Sequence, residues 1–89
     1  MPTISMFYGI IVRMLFIDTH QHHLPYIHVE YQGMKAVVGI PGGELIEGNL
    51  PGKKLPLVQA WISIHEEELM ANWSLAANGE PIFPIEPLR

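Results

Sequence analysis

The chain has 89 residues, of which 48% are hydrophobic and 16% charged, with a net charge of −4 when histidine is neutral. That is one domain, too apolar to remain disordered. With no cysteine it excludes disulfides and thiolate metal sites, which fits a cytoplasmic protein. Its cations Arg13, Lys35, Lys53, Lys54 and Arg89 form no run beyond Lys53-Lys54. Backbone-driven nucleic-acid binding is therefore disfavoured, although a small local patch leaves RNA open. No apolar stretch approaches the ~20 residues of a membrane span. Met1 to Ser5 lacks the positive region of a secretion signal. A soluble cytoplasmic protein with no membrane partner is expected.

The first predicted element is a strand from Tyr8 to Ile17. Strand side chains alternate, so Ile10, Val12, Met14 and Phe16 share one face, and Ile11, Arg13, Leu15 and Ile17 the other. A hairpin follows. With Gln32-Gly33 as a two-residue turn, Tyr31 opposes Met34, Val29 opposes Ala36 and Ile27 opposes Val38, all on one face. Glu30 then opposes Lys35 on the other face, a favourable cross-strand pair. A slip of one residue would destroy both patterns. Pro41-Gly42-Gly43 is a turn. It is no phosphate loop, because no helix opening on Lys-Ser/Thr follows it directly. Leu45 and Ile46 form a short fourth strand beside Val37 to Ile40, closed by Gly48 to Gly52.

From about Leu55 to Asn78 the period becomes helical. Val58, Trp61, Ile62, His65, Leu69, Trp73 and Ala76 mark one face. On it His65 is a packed histidine, and the two tryptophans anchor helix to sheet. Glu66-Glu67-Glu68 falls on the solvated face. Asn78-Gly79 caps the helix and Pro81 follows. The tail from 80 to 89 holds Pro81, Pro84 and Pro87, so it is extended.

The expected architecture is a two-layer α+β domain spanning 1–89. A three- or four-stranded antiparallel meander (about 4–50) packs on one long C-terminal helix (about 55–78), with an extended Pro-rich tail (80–89). The second sheet face, carrying Ile11, Leu15, Ile17, Val37 and in part Ile46, is left open. Such a face suits self-association or a small protein partner.

Four of the five histidines lie in His20-Gln21-His22-His23-Leu24-Pro25-Tyr26-Ile27-His28. Histidine is the commonest metal ligand and changes charge near neutral pH. Three readings follow. As a metal centre, His22 and His28 meet through the loop, with His20 or His23 as third ligand. Zinc takes imidazole at ~2.0–2.1 Å, but this spacing matches no established zinc signature. As an acid–base site, His22 and His28 act with Tyr26 and Glu30, while Arg13 or Lys35 steadies a phosphate. In the third reading the histidines order a loop and line an interface. That reading is preferred, so no cofactor is expected and zinc is the weaker alternative.

The blocks Thr3-Ile4-Ser5-Met6-Phe7-Tyr8-Gly9-Ile10, His28-Val29-Glu30-Tyr31 and Gly43-Glu44-Leu45-Ile46-Glu47-Gly48-Asn49-Leu50-Pro51, with the Trp61 helix and Asn72-Trp73, resemble a small bacterial family. It is the domain-of-unknown-function 4160 family. The resemblance implies a short bacterial protein without settled activity, often encoded beside another small domain in a toxin–antitoxin-like arrangement. The family's motif resembles Asp-His-x-Pro-Pro-His-x-His. Over Gln21 to His28, His22, Pro25 and His28 match it, while Gln21, Leu24 and Tyr26 replace the acid, the first proline and the middle histidine. A three-histidine site would have lost one ligand here, which His20 or His23 would have to replace.

The expected function is thus an interaction module of a toxin–antitoxin-like pair, acting with a small protein partner or as a homodimer. The alternative is a small histidine-dependent hydrolase or ribonuclease. Because Tyr26 replaces a family histidine, the purified chain should not retain stoichiometric zinc after dialysis against a weak chelator. A ratio near one metal per chain in elemental analysis would overturn that expectation.

Overall fold

Two tight turns with glycine in second place set the register of the sheet. The structure is a computed structural model and describes residues 2–15 and 25–89. At Gln32-Gly33 the φ angles are 47° and 82°, and at Tyr8-Gly9 they are 50° and 80°. A type I′ hairpin turn needs positive φ at both central residues. Glycine reaches that region freely, whereas a bulky side chain such as tyrosine rarely enters it. The Tyr8-Gly9 turn therefore carries no ordinary hairpin signal, and it corrects the expected Tyr8–Ile17 strand. Strand β1 (Thr3–Phe7) turns back at Tyr8-Gly9 into β2 (Ile10–Arg13). Phe16 and Ile17 lie outside the described residues.

The alternation within β2 holds. Ile10, Val12 and the following Met14 are fully buried, while Ile11 and Arg13 are half-buried on the opposite face. The central hairpin of β3 (Tyr26–Tyr31) and β4 (Met34–Gly39) has the expected register: Tyr31 opposite Met34, Val29 opposite Ala36, Ile27 opposite Val38 and Glu30 opposite Lys35. Strand β5 (Leu45–Gly48) pairs with β4, so the antiparallel meander runs β1-β2-β3-β4-β5. It has five strands rather than three or four. In β5, Val37 faces Glu47 and Val38 faces Leu45, which leaves Ile46 as the extra residue of a bulge. Ile46 is thus no regular member of the open face.

The helical segment is two helices, not one. Helix α1 (Lys54–Ile64) and helix α2 (Glu66–Ala77) meet at His65, whose φ and ψ of −115° and 29° leave the helical range. The local sequence explains the break. Trp61-Ile62-Ser63-Ile64-His65 is a run of mediocre helix formers. Glu66-Glu67-Glu68 then fills the first turn of α2, where negative charge is favoured by the helix dipole. The glutamate run is exposed as expected, but it is also a second helix start.

Both helices serve one face of the sheet. Val58, Trp61, Ile62 and Leu69 join Phe7, Ile10, Val12, Met14, Ile27, Val29, Val38 and Ile40 in one core. The ring of Trp61 lies 5.4 Å from that of Phe7, and its Nε1 donates to the Glu86 carbonyl at 2.8 Å. His65 packs 5.6 Å from Trp61, with Nδ1 2.7 Å from a carboxylate oxygen of Glu68.

The tail is extended and tied at three points. Asn72, fully buried on α2, donates Nδ2–H to the Phe83 carbonyl at 2.7 Å and accepts the Phe83 N–H at 3.0 Å. The Ile85 N–H donates to the Ile4 carbonyl at 2.7 Å. The third tie is the Trp61 bond to Glu86. A buried amide bonded to backbone in both directions imitates a strand partner and satisfies groups that burial would otherwise leave costly.

Trp61 is fully buried whereas Trp73 is half-buried. Trp61→Ala should therefore destabilise the domain by ~3–5 kcal/mol, and Trp73→Ala by clearly less, as read from urea unfolding. Equal losses would mean that the Trp73 ring contributes as much burial as that of Trp61. Asn72→Ala removes both Phe83 hydrogen bonds and should cost about 1–3 kcal/mol. Amide exchange at Ile85 should accelerate with it. Unchanged protection at Ile85 would show the tail held without Asn72.

Candidate functional site

The site is the sheet face that the helices leave uncovered. Strand alternation puts Arg13 of β2, His28 and Glu30 of β3, Lys35 and Val37 of β4 and Glu47 of β5 on this side, with Ile11. The register sorts them into two rows across the strands. Arg13, His28, Val37 and Glu47 are successive partners in one row. Met6, Ile11, Glu30 and Lys35 are successive partners in the other. All of these except Met6 line a shallow hollow of about 310 Å³, with Ile11 and Val37 as apolar lining beside the charged side chains.

The electrostatics centre on Glu30. One carboxylate oxygen is 3.6 Å from an Arg13 guanidinium nitrogen, and the other is 4.0 Å from Lys35 Nζ. The Glu30 and Arg13 side chains are 27% and 36% exposed, so these are partly screened surface pairs, and Lys35 at 78% is the loosest member. Pairs of this kind contribute ~0–1 kcal/mol each. Their larger effect is to fix where the charges stand. Val37 is only 8% exposed although neither α1 nor α2 packs on this side.

The expected site residues are placed as follows. His28 and Glu30 share the open face and line the same hollow. Tyr26, the first residue of β3, is buried, with its ring 5.3 Å from His28 and 5.1 Å from Trp73 of α2. It therefore works as an aromatic link between the open-face histidine and the helical layer. His20, His22 and His23 lie outside the described residues. Among the described residues no cluster of three or more His, Asp or Glu stands ready for a metal ion. Leu15, assigned to the open face with Ile11, lines a second hollow at the far end of α2 with Ala76, Gly79 and Ile82.

Glu47 was not singled out from the sequence. Its place opposite Val37, at the end of the Arg13 row, follows from the Ile46 bulge, and no residue pattern marked that bulge. The Arg13–Glu30 pair is a diagonal contact between neighbouring rows, visible only once β2 is registered against β3.

The family model for a domain of unknown function (DUF4160) matches residues 9–74. The chain belongs to the DUF4160 family. The match spans β2 to β5, α1 and most of α2, and so includes the whole row of Arg13, His28, Val37 and Glu47. Strand β1 and the tail lie outside it. No curated protein and no solved structure matches the chain significantly. Among the described residues no helix is long and apolar enough to cross a membrane.

Proposed function

We propose that this DUF4160 chain is a small bacterial interaction module, working in a toxin–antitoxin-like pair in the cytoplasm, with the open sheet face as its contact surface. The observation that carries this reading is the state of the cations on that face. Glu30 stands within 4.0 Å of both Arg13 and Lys35, and with Glu47 on the same face the two basic and two acidic side chains balance, so the face offers no basic footprint to a phosphate backbone. An apolar floor ringed by compensated charges of both signs suits a protein surface better than a nucleic-acid backbone. The pairing with a second small domain that the family resemblance implies agrees with this. The module needs no cofactor.

A second reading is a histidine-dependent hydrolase or ribonuclease using His22, His28, Tyr26 and Glu30. One observation favours it: His28 and Glu30 line a single hollow with Arg13, an arrangement in which an imidazole and a carboxylate can share proton transfer.

Co-expression with the product of the adjacent gene separates the two. Ile11→Asp should abolish capture of that product while leaving the far-ultraviolet circular dichroism intact. The combined change His22→Ala with His28→Ala should leave capture unchanged. If the histidine variant loses an effect on growth or RNA while capture persists, the hydrolase reading replaces the module. Undiminished capture by Ile11→Asp would remove the open face as the contact surface.

A further inference from the structure

We propose that the open face pairs with the open face of a second copy of this chain, about a two-fold axis parallel to the strands and midway between β3 and β4. The inference rests on the contact-surface reading and names a second copy as the face's occupant in the absence of the adjacent gene product, which would compete with it for the same face. It comes from the order of charges along the two rows. In the first row Arg13 of β2 stands at one end and Glu47 of β5 at the other, with His28 and Val37 between them. In the second row Glu30 of β3 and Lys35 of β4 are neighbours.

A two-fold axis along the strands reverses strand order and keeps each row level with itself. It lays β2 over β5 of the second copy, and β3 over β4. Arg13 then faces Glu47 of the second copy, Glu30 faces Lys35, and His28 faces Val37, each contact occurring twice by symmetry. Every charge in the two rows meets its opposite. The other face-to-face two-fold runs across the strands and exchanges the rows. It would set Arg13 over Ile11 and Lys35 over Val37, placing cations on apolar side chains. Charge order thus selects one geometry, as self-complementary two-fold interfaces require. It is also compatible with the aligned packing of twisted sheets, whose mean strand directions differ by about 30°.

The interface is small. Four strands at ~4.8 Å spacing and a few residues at ~3.3 Å rise give a footprint well under the ~800 Å² per partner of a standard complex. The dimer is therefore weak and concentration-dependent, and its charge pairs make it salt-sensitive.

The test is a crossed charge reversal read by light scattering up to millimolar chain in low salt. The wild-type chain should pass from monomer to dimer with concentration, and its dissociation constant should rise about tenfold or more between 0.05 and 0.5 M NaCl. Arg13→Glu alone sets Glu against Glu47, and Glu47→Arg alone sets Arg against Arg13, so each should be monomeric. An equimolar mixture of the two should recover the dimer, because both cross-contacts become opposite again. A wild-type monomer at millimolar concentration, a dimer in either single variant, or no recovery on mixing overturns the proposal. Should Arg13→Glu fail to fold, through repulsion from Glu30, the salt series on wild type and the Glu47→Arg variant decide: a salt-indifferent dimer or an undiminished Glu47→Arg dimer overturns it. If the wild type is monomeric but Ile11→Asp still abolishes capture of the adjacent gene product, self-pairing falls and the contact-surface reading stands. If Ile11→Asp affects neither self-association nor capture, both fall.

Discussion

The indole of Trp61 has no solvent exposure, and it touches each layer of the domain. Its ring rests 5.4 Å from Phe7 of β1, 5.6 Å from His65 at the helix junction, and its N–H holds the Glu86 carbonyl of the tail at 2.8 Å. A domain of this size has one modest core, and large aromatics supply much of its buried area. At the helix junction the His65 ring packs against Trp61 and its Nδ1 lies 2.7 Å from a Glu68 carboxylate oxygen, where α2 starts on three glutamates.

The parts of the fold legible in the sequence were those that rest on period and on turn chemistry. Register over Tyr31/Met34, Val29/Ala36 and Ile27/Val38 followed from alternation and from Gly33, because one buried face permits a single register. The helix stripe of Val58, Trp61, Ile62 and Leu69 followed from helical spacing. What stayed hidden depends on tertiary context. Tyr8 enters positive φ although its side chain disfavours it, so β1 merged with β2 into one expected strand. Asn72 reads as an ordinary helix residue until the tail arrives beside it, and only then is its amide seen to clamp Phe83.

The same division holds at the site. His28, Glu30, Arg13 and Lys35 were placed on one face by alternation, and they line one hollow. Their electrostatic grouping was not legible, because Glu30 reaches Arg13 diagonally and Lys35 across the strand pair. Tyr26 was read as a chemical partner of His28. It does meet that ring, but as one aromatic in a line that continues to Trp73. A sequence motif marks which residues belong together, and packing decides whether they are presented to a ligand or used to hold the layers.

The two edges of the sheet and its two faces are managed differently, and the contrast isolates the open face. At the β1 edge, the Ile4 carbonyl is taken by Ile85, so the proline-rich tail blocks further strand pairing there. The opposite edge is β5, four residues long and broken by the Ile46 bulge, which makes it a poor template for another strand. One face is sealed by both helices. The remaining face carries two of the chain's five basic side chains together with Glu30, Glu47 and His28, around Ile11 and Val37. Charges contribute little to the stability of such a small sheet, and a purely soluble exterior could carry them in any order. Their order along the two rows is fixed by the register of β2 to β5, and within the chain it lets Glu30 reach both Arg13 and Lys35.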